Sequence, residues 1–501
     1  MEKCTKIALF SPLFLLTLTW VFSFNPPLTV FFIKNIFPYD LQRLLQLLFL
    51  VVVAIFGMSM SCIRNTIVVH VNAWRRPTLI TIILFFWAGL ISCLFAKAPT
   101  YAFLEWSLFI LLTFSALCFS AIASIIGDQF YYLLSAIIFI VIASYIYPVC
   151  HDYMHAILHH QPIYLFPYFI DKRFFSQFAV FTIGLLPLLD DWAQKKSLSW
   201  MRLLLFLLAA FWWTLILING SRGLILSVII AIILATMLYK KAVLPWLWRQ
   251  CCFLGTAILA MLLLIVIIMI THNHDLLLKS IAHLQHFNAM TFTPRIILYN
   301  YAIHLTIHHP WLGVGPMHFA YAPPPLLQKD MQLVAHPHNF ILLIFSEWGI
   351  FAGAAFLFVL LCGLTVFIRK NKAVARESNS EKNLIHISCL IAVIAGLCDA
   401  LVSGVFVMPL AQTILAVTVG SAMALCIPKN TNRCNRSKNK WVIVFVLTVI
   451  LIFSIYMVIT TLITTLPNLL QSEVHWLSTQ PTGLHTPFNP RFWLQGWING
   501  F

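Results

Sequence analysis

Long apolar runs separated by short polar segments make up most of the chain. The runs are roughly twenty residues long and do not alternate between apolar and polar positions. Barrel strands would be shorter and would show period-two polarity, so the pattern predicts membrane-spanning helices. The predicted spans are 7–24, 41–62, 78–96, 103–126, 130–148, 174–189, 203–219, 222–239, 250–271, 339–368, 384–404, 408–427 and 441–463. The expected fold is an all-α polytopic membrane protein with about 12–13 transmembrane helices.

The composition supports a membrane protein. Of the 501 residues, 61% are hydrophobic and only 9% are charged, whereas a soluble domain carries about 25% charged residues. The net charge of +16 comes from short basic clusters between apolar runs. Cytoplasmic loops of membrane proteins have this distribution, so we expect membrane lipids as partners and no nucleic acid.

Lysine and arginine also set the expected orientation. With the N-terminus in the cytoplasm, the inside loops hold about two thirds of the 31 basic residues. This predicts transmembrane helices over 1–271, an outward-facing loop of short helices over 272–338, further transmembrane helices over 339–463 and an outward-facing tail over 464–501.

The long outward loop is rich in histidine. Ten of the 18 histidines fall within it: His272, His274, His283, His286, His304, His308, His309, His318, His336 and His338. Most are expected to be interfacial residues. The loop has only Asp275 and Asp330 as acids and has no HExxH pattern, so no metal site is predicted. The twelve cysteines contain no CxxC pair, so no disulfide framework or zinc site is indicated.

Two of these histidines stand in a distinctive local sequence. His336, Pro337, His338 and Asn339 directly precede the apolar run that begins at Phe340. Pro337 prevents an earlier helix start, and Asn339 is a good N-cap. A neutral imidazole there could accept a proton from a hydroxyl. A capping turn without chemistry fits the pattern equally well.

Three arginines are candidate anion contacts. Arg222, next to Ser221, lies in a small polar break between two apolar runs, where an arginine is usually paired or functional. Arg295 opens the periodic stretch 296–307, and the planar arginine fork suits phosphate oxygens. Arg173, in the polar segment 149–173, is a further possible phosphate contact. The alternative for Arg222 is a loop residue that reaches towards lipid headgroups.

Glu347 is a carboxylate inside a predicted span and is therefore a candidate site residue. It follows His338 by about two and a half helical turns, so it is expected near the same membrane face. The competing interpretation is a simple partner for an arginine or for a hydroxyl at a helix end.

Taken together, these motifs resemble those of the O-antigen ligase family. This superfamily also contains O-antigen polymerases and bacterial protein O-oligosaccharyltransferases. The resemblance rests on the order and spacing of GSRG at 220–223, PR at 294–295, HPWLGVGP at 309–316, HPHN at 336–339 and EWG at 347–349. It extends over roughly 200–360 by motif and over the rest of the chain by span pattern.

The resemblance implies a glycosyltransferase of the bacterial inner membrane that needs neither metal nor cofactor. It would transfer a glycan (O-antigen) from undecaprenyl pyrophosphate to lipid A core, with inversion, in a catalytic loop at 272–338 that faces the periplasm. Arg222 and Arg295 would hold the pyrophosphate, with Ser221, Asn339, Glu347 and Arg173 as further substrate contacts. His338, with His336 beside it, would assist the acceptor hydroxyl.

Other functions remain open at this point. Within the superfamily, the acceptor could be a protein hydroxyl or a growing glycan. Outside it, a transporter or flippase of lipid-linked glycans would need polar residues near mid-membrane along several spans, whereas here they gather at one face. A scaffold for envelope assembly would not need Arg222, Arg295 and His338. The family is usually described with about twelve spans and both ends inside, which differs from the outward tail expected here.

Overall fold

The computed structural model describes residues 9–25, 36–159, 166–270, 292–321, 335–377, 380–427, 440–479 and 491–493. Helices dominate this part of the chain. They are α1 (Ser11–Phe24), α2 (Pro38–Ser59), α3 (Ser61–Ala73), α4 (Arg76–Phe95), α5 (Pro99–Ile126), α6 (Gln129–Leu158), α7 (Lys172–Lys195), α8 (Ser199–Asn219), α9 (Arg222–Tyr239), α10 (Leu244–Ile270), α11 (Phe292–His308), α12 (Phe340–Val374), α13 (Ser380–Ala400), α14 (Pro409–Cys426) and α15 (Lys440–Thr479).

The predicted fold class is confirmed, since each predicted span corresponds to one of these helices. Within the described residues, 11 helical segments are long and apolar enough to cross a membrane. One of them, Arg222–Val266, contains α9, a 3-10 turn and most of α10, which the sequence pattern had separated. The apolar α1, with 14 residues, is shorter than these.

Several helices extend beyond their predicted spans. Helix α6 continues through Leu158 although the apolar run ends near 148, and α15 continues to Thr479 into the expected tail. Both helices contain an internal proline, Pro148 and Pro467. Hydropathy marks the part of a helix that suits hydrocarbon, whereas the backbone hydrogen bonds that define the helix continue into polar sequence. The predicted spans therefore end earlier than the helices that contain them.

The chain forms two compact units. The first contains residues 1–29, 126–291 and 371–399. In it α7 packs against α6 and α8, α8 packs against α10, and α1 packs against α6. A side chain at Gly184 of α7 would meet the backbone of Ser388 and Ala392 in α13 at 2.6 Å, so glycine allows these two helices to approach closely.

Polar side chains join the helices of the first unit. Trp212 in α8 donates to Thr182 Oγ1 at 2.8 Å, and Trp246 in α10 donates to the Gly184 carbonyl at 3.1 Å. Interhelical hydrogen bonds of this kind supplement van der Waals packing where lipid supplies no hydrophobic force between helices.

The second unit contains residues 30–125, 292–370 and 400–501. Helices α14 and α15 pack on α2, and α3 contacts both α2 and α15. This unit has a strongly polar interior. Its fully or almost fully buried polar side chains include Arg43, Gln46, Glu105, Glu347, Gln412 and Arg491.

Candidate functional site

The histidine turn lies at the start of α12. Asn339 Oδ1 accepts hydrogen bonds from the backbone N–H groups of Ile341 and Leu342, both at 3.0 Å, so it is the predicted N-cap. The turn that ends at this cap brings His336 Nε2 to 3.1 Å from His338 Nδ1. The two predicted histidines therefore form a hydrogen-bonded pair.

The two histidines differ in exposure and backbone conformation. The His336 side chain is buried, whereas His338 is half-buried. His338 has a φ of 54°, in the left-handed region that few non-glycine residues adopt. Such strained residues persist only where the surrounding structure holds them, and they are concentrated at active sites.

The histidine pair lines a crevice within the second unit. One wall, which we call the histidine wall, consists of residues 336–340 and Leu343, and the opposite wall consists of Ser403, Gly404, Phe406 and Val407. The rings of Phe340 and Phe406 stack across the two walls with centroids 4.7 Å apart.

Two buried side chains hold the opposite wall from beneath. Arg43 Nη2 donates to the Val407 carbonyl at 2.5 Å, and Gln412 Nε2 donates to the Phe406 carbonyl at 2.7 Å. Arg43 Nη1 also donates to Gln412 Oε1 at 2.6 Å, so these two side chains support one another.

Glu347 is completely buried and has three hydrogen-bond donors around its carboxylate. It accepts from the backbone N–H groups of Met317 at 3.1 Å and Phe319 at 2.9 Å, and from Arg491 Nη2 at 2.6 Å. This geometry matches the interpretation of Glu347 as an arginine partner. Its carboxylate also fixes the backbone turn at 317–319.

The segments 310–315 and 346–350 are joined through their backbones. The hydrogen bonds run from Ile350 N to Pro310 O at 2.8 Å, from Val314 N to Ser346 O at 3.0 Å and from Gly315 N to Glu347 O at 2.9 Å. The HPWLGVGP and EWG motifs are therefore neighbours in space. Met317, which follows the first motif, and Glu347, which begins the second, are 30 residues apart in sequence.

Arg222, Ser221 and Arg173 lie in the first unit. Ser221 caps α9, because its side chain accepts from Leu224 N at 3.4 Å. Asn219 Nδ2 donates to the Lys172 carbonyl at 2.5 Å. This hydrogen bond places the turn before Arg222 beside the first turn of α7, which contains Arg173. Arg222 and Arg173 are both exposed.

Arg295 is half-buried and lies in the first turn of α11, in the second unit. On the same helix, the ring of Tyr301 packs edge-on against Phe319 at 5.1 Å. Helix α11 therefore contacts the turn that Glu347 holds. The second unit contains Arg295, His336, His338, Asn339 and Glu347, and the first contains Arg222, Ser221 and Arg173.

Of the other loop histidines, His272, His274, His283 and His286 lie outside the described residues. His304 and His308 are exposed and stack at 3.9 Å, one helical turn apart. In the part of the chain that the structure describes, no three His, Cys, Asp or Glu side chains are grouped as a metal site.

Sequence reasoning missed the buried charges beneath the crevice. Arg43 and Glu105 are charged residues in apolar spans, which is itself a signal of a site, but neither was among the predicted site residues. Arg491 gave no such signal, because it stands in a polar tail where arginine is expected at the surface.

Comparison with known proteins identifies the central segment. A family model described as O-antigen ligase matches residues 203–357. This segment is similar to the O-antigen ligase family. The O-antigen ligase match includes Arg222, Arg295, the histidine turn and Glu347, and it confirms the resemblance expected from the motifs. It supports a role in glycosyl transfer with lipid-linked glycans in a membrane. No curated protein matches the chain.

Proposed function

We propose that this protein transfers a preassembled glycan from undecaprenyl pyrophosphate to a hydroxyl of lipid A core, at the periplasmic face of the bacterial inner membrane. The observation that carries the proposal is the His336–His338 pair, which lines a crevice at the start of α12 within the O-antigen ligase segment.

The hydrogen bond between the two imidazoles supports different roles for them. When His338 Nδ1–H donates to His336 Nε2, the lone pair of His338 is on Nε2, where it can accept a proton. The opposite tautomer would leave a hydrogen on His338 Nε2 and remove its basic site. We propose the first tautomer, in which His338 is the general base and buried His336 orients it and stabilises the imidazolium that forms. In other catalytic sites a residue that hydrogen-bonds the catalytic base performs this task.

The bond changes follow from these roles. The acceptor hydroxyl oxygen bonds to the anomeric carbon of the glycan, while the bond from that carbon to the phosphate oxygen breaks. The hydroxyl proton goes to His338, and the electron pair leaves with undecaprenyl pyrophosphate. A single displacement from the opposite face inverts the anomeric carbon. Pyrophosphate is a good leaving group once its charge is compensated, so the protein supplies mainly positioning and charge stabilisation.

The arginines supply the charge compensation. Arg295 lies in the unit that contains the histidines, and its planar guanidinium suits bidentate contact with phosphate oxygens. Arg222 and Arg173 are exposed at the turn beside α7 and are proposed as further phosphate contacts. Ser221 and Asn339 already cap helices, and Glu347 already pairs with an arginine. Their contribution to substrate binding is therefore indirect.

The first test is transfer by purified protein from a lipid-linked glycan to lipid A core. We expect His338→Ala to lower the rate by about 10²–10⁴-fold, because it removes the general base. His308→Ala, which changes an exposed histidine on α11, is the matched control and should retain activity. Full transfer by His338→Ala would contradict the catalytic assignment. Transfer to a peptide hydroxyl but not to lipid A core would change the acceptor to protein.

The same assay tests the arginines separately. We expect Arg222→Lys to raise KM for the lipid-linked donor several-fold, because lysine keeps the charge and loses the bidentate fork. Arg369→Lys, at an exposed position near the end of α12, is the matched control. An unchanged donor KM in Arg222→Lys and in Arg222→Ala would remove Arg222 from the donor site and leave the histidine assignment standing.

A further inference from the structure

Three residues near the C-terminus are buried inside the second unit. Arg491, Phe492 and Trp493, which we call the tail clamp, are all buried, and the Arg491 side chain is only 1% exposed. A backbone hydrogen bond from Arg491 N to Trp493 O at 3.0 Å holds them in a turn. These three residues of the expected outward-facing tail therefore contribute to the interior of the second unit.

The tail clamp is bound to the histidine wall through α12. Arg491 Nη2 contacts Glu347 at 2.6 Å and Glu105 at 2.7 Å. Glu347 lies about two turns after Asn339 on the helix that begins at the histidine turn. Burial lowers the pKa of Arg491, but the two carboxylates outweigh burial and leave that pKa raised, so the guanidinium is charged.

The tail clamp is also bound to the opposite wall of the crevice. Arg43 donates from Nε to the Phe492 carbonyl at 2.8 Å and from Nη2 to the Val407 carbonyl at 2.5 Å. Tyr39 adds a hydrogen bond from its hydroxyl to the Arg491 carbonyl at 2.7 Å. One arginine thus connects the tail clamp directly to the wall that faces the histidines.

We propose that the tail clamp is a positioning element of the catalytic centre: by binding Glu347 on one side and Arg43 on the other, it holds the two walls of the histidine crevice at a fixed separation. The part of this proposal that concerns catalysis rests on the proposed function. The part that concerns structure does not, because the tail clamp would hold the walls of the crevice whatever reaction takes place there.

The physical reason is the steep dependence of proton transfer on distance. A general base must lie within hydrogen-bond reach of the hydroxyl, and a displacement of about 1 Å costs about 10²-fold in rate. The Phe340–Phe406 stack joins the two walls at one level, and the polar links through Arg491 and Arg43 add a constraint below it.

The activity test compares two variants of the clamp with a matched control. Arg491→Gln removes the ion pairs, and Tyr39→Phe removes a single hydroxyl. We expect kcat to fall about tenfold in Arg491→Gln and less in Tyr39→Phe, with the donor KM within about twofold of wild type. Arg491→Lys should restore part of the loss. Tyr456→Phe, at an exposed position of α15, should match wild type.

A second readout does not depend on activity. The rate at which diethyl pyrocarbonate modifies His336 and His338, followed by mass spectrometry, should rise several-fold in Arg491→Gln and to a smaller extent in Tyr39→Phe, with Tyr456→Phe unchanged. If Arg491→Gln does not fold, Tyr39→Phe decides. Wild-type modification rates in folded clamp variants would overturn the proposal, as would a rise in KM with unchanged kcat. A wild-type protein that transfers no glycan, but whose clamp variants show faster modification, would reject only the proposed function.

Discussion

At the scale of single residues, two histidines of the same predicted loop have different surroundings. His318 is buried, its Nε2 accepts a hydrogen bond from Ala98 N at 2.9 Å, and its Nδ1 donates to the Pro316 carbonyl at 2.8 Å. Both ring nitrogens are therefore engaged with backbone in the neutral form. His318 is a structural residue, whereas half-buried His338 lines the crevice.

His318 should make stability depend on pH. Burial, with smaller contributions from Arg491 and Lys97, lowers the pKa of His318. The unfolded chain then binds a proton that the folded protein does not, so stability is present above the ordinary histidine pKa of about 6.5 and is lost as pH falls below it. We expect the thermal midpoint in detergent to decrease as the pH is lowered below about 6.5.

The control for this prediction is His318→Leu. It should lower stability at pH 7.5 by about 1–3 kcal/mol, because the Ala98 N–H loses its acceptor, and the remaining dependence on pH should be weaker. An equally steep fall in His318→Leu would assign the pH dependence to other groups.

Site residues could be predicted where neighbouring residues in the sequence mark them. Pro337 and Asn339 mark the start of α12 in the sequence itself, so the histidine turn could be located before the structure was known. The contact between Arg43 and the Phe492 carbonyl spans 449 positions. No local pattern encodes such a pair, and without it Arg491 has the sequence context of a surface residue.

At the scale of elements, the break in α12 at Gly349 can be tested by mutation. Gly349 has φ 82° and ψ 177°, a conformation that essentially only glycine adopts. A Cβ there would collide with the Trp311 carbonyl oxygen and would lie 2.7 Å from Gly313 N. The glycine thus allows segment 310–315 to pack directly on the helix backbone.

We expect Gly349→Ala to destabilise the protein by about 1–3 kcal/mol from backbone strain, with the steric collision adding to this cost. The measurement is the thermal midpoint by tryptophan fluorescence in detergent. Gly363→Ala, further along the same helix where a Cβ would meet no atom within 4 Å, is the matched control and should be neutral or slightly stabilising. Equal thermal midpoints for the two variants would mean that a side chain at position 349 does not strain the junction between segment 310–315 and α12.

Helix existence was easier to predict than helix ends. In the described residues, each helix long and apolar enough to cross a membrane coincides with a predicted apolar run, but α6 and α15 continue beyond their runs. Backbone breaks such as Gly349 were not predicted either, since a glycine inside an apolar run is compatible with an uninterrupted helix.

At the scale of the whole molecule, the two units differ in their ion pairs and buried polar networks. In the first unit, Arg249 forms ion pairs with Asp190 at 2.9 Å and with Asp191 at 2.8 Å. The second has a buried network centred on Arg43 and Arg491. Segments distant in sequence build each unit, so the sequential regions 1–271, 272–338, 339–463 and 464–501 describe the order along the chain and not its compact units.

The orientation in the membrane is a prediction at this scale. The charge distribution places α11 outside and the end of α12 inside. In a background without other reactive cysteines, His308→Cys should be labelled by a membrane-impermeant maleimide from the periplasmic side of intact cells, because His308 is exposed. Arg369→Cys, also exposed, should be labelled only after the inner membrane is permeabilised. The reverse pattern would place the histidine crevice at the cytoplasmic face. Lipid A core displayed on the periplasmic side could not reach it there, and the proposed acceptor would be excluded even if His338 proved essential.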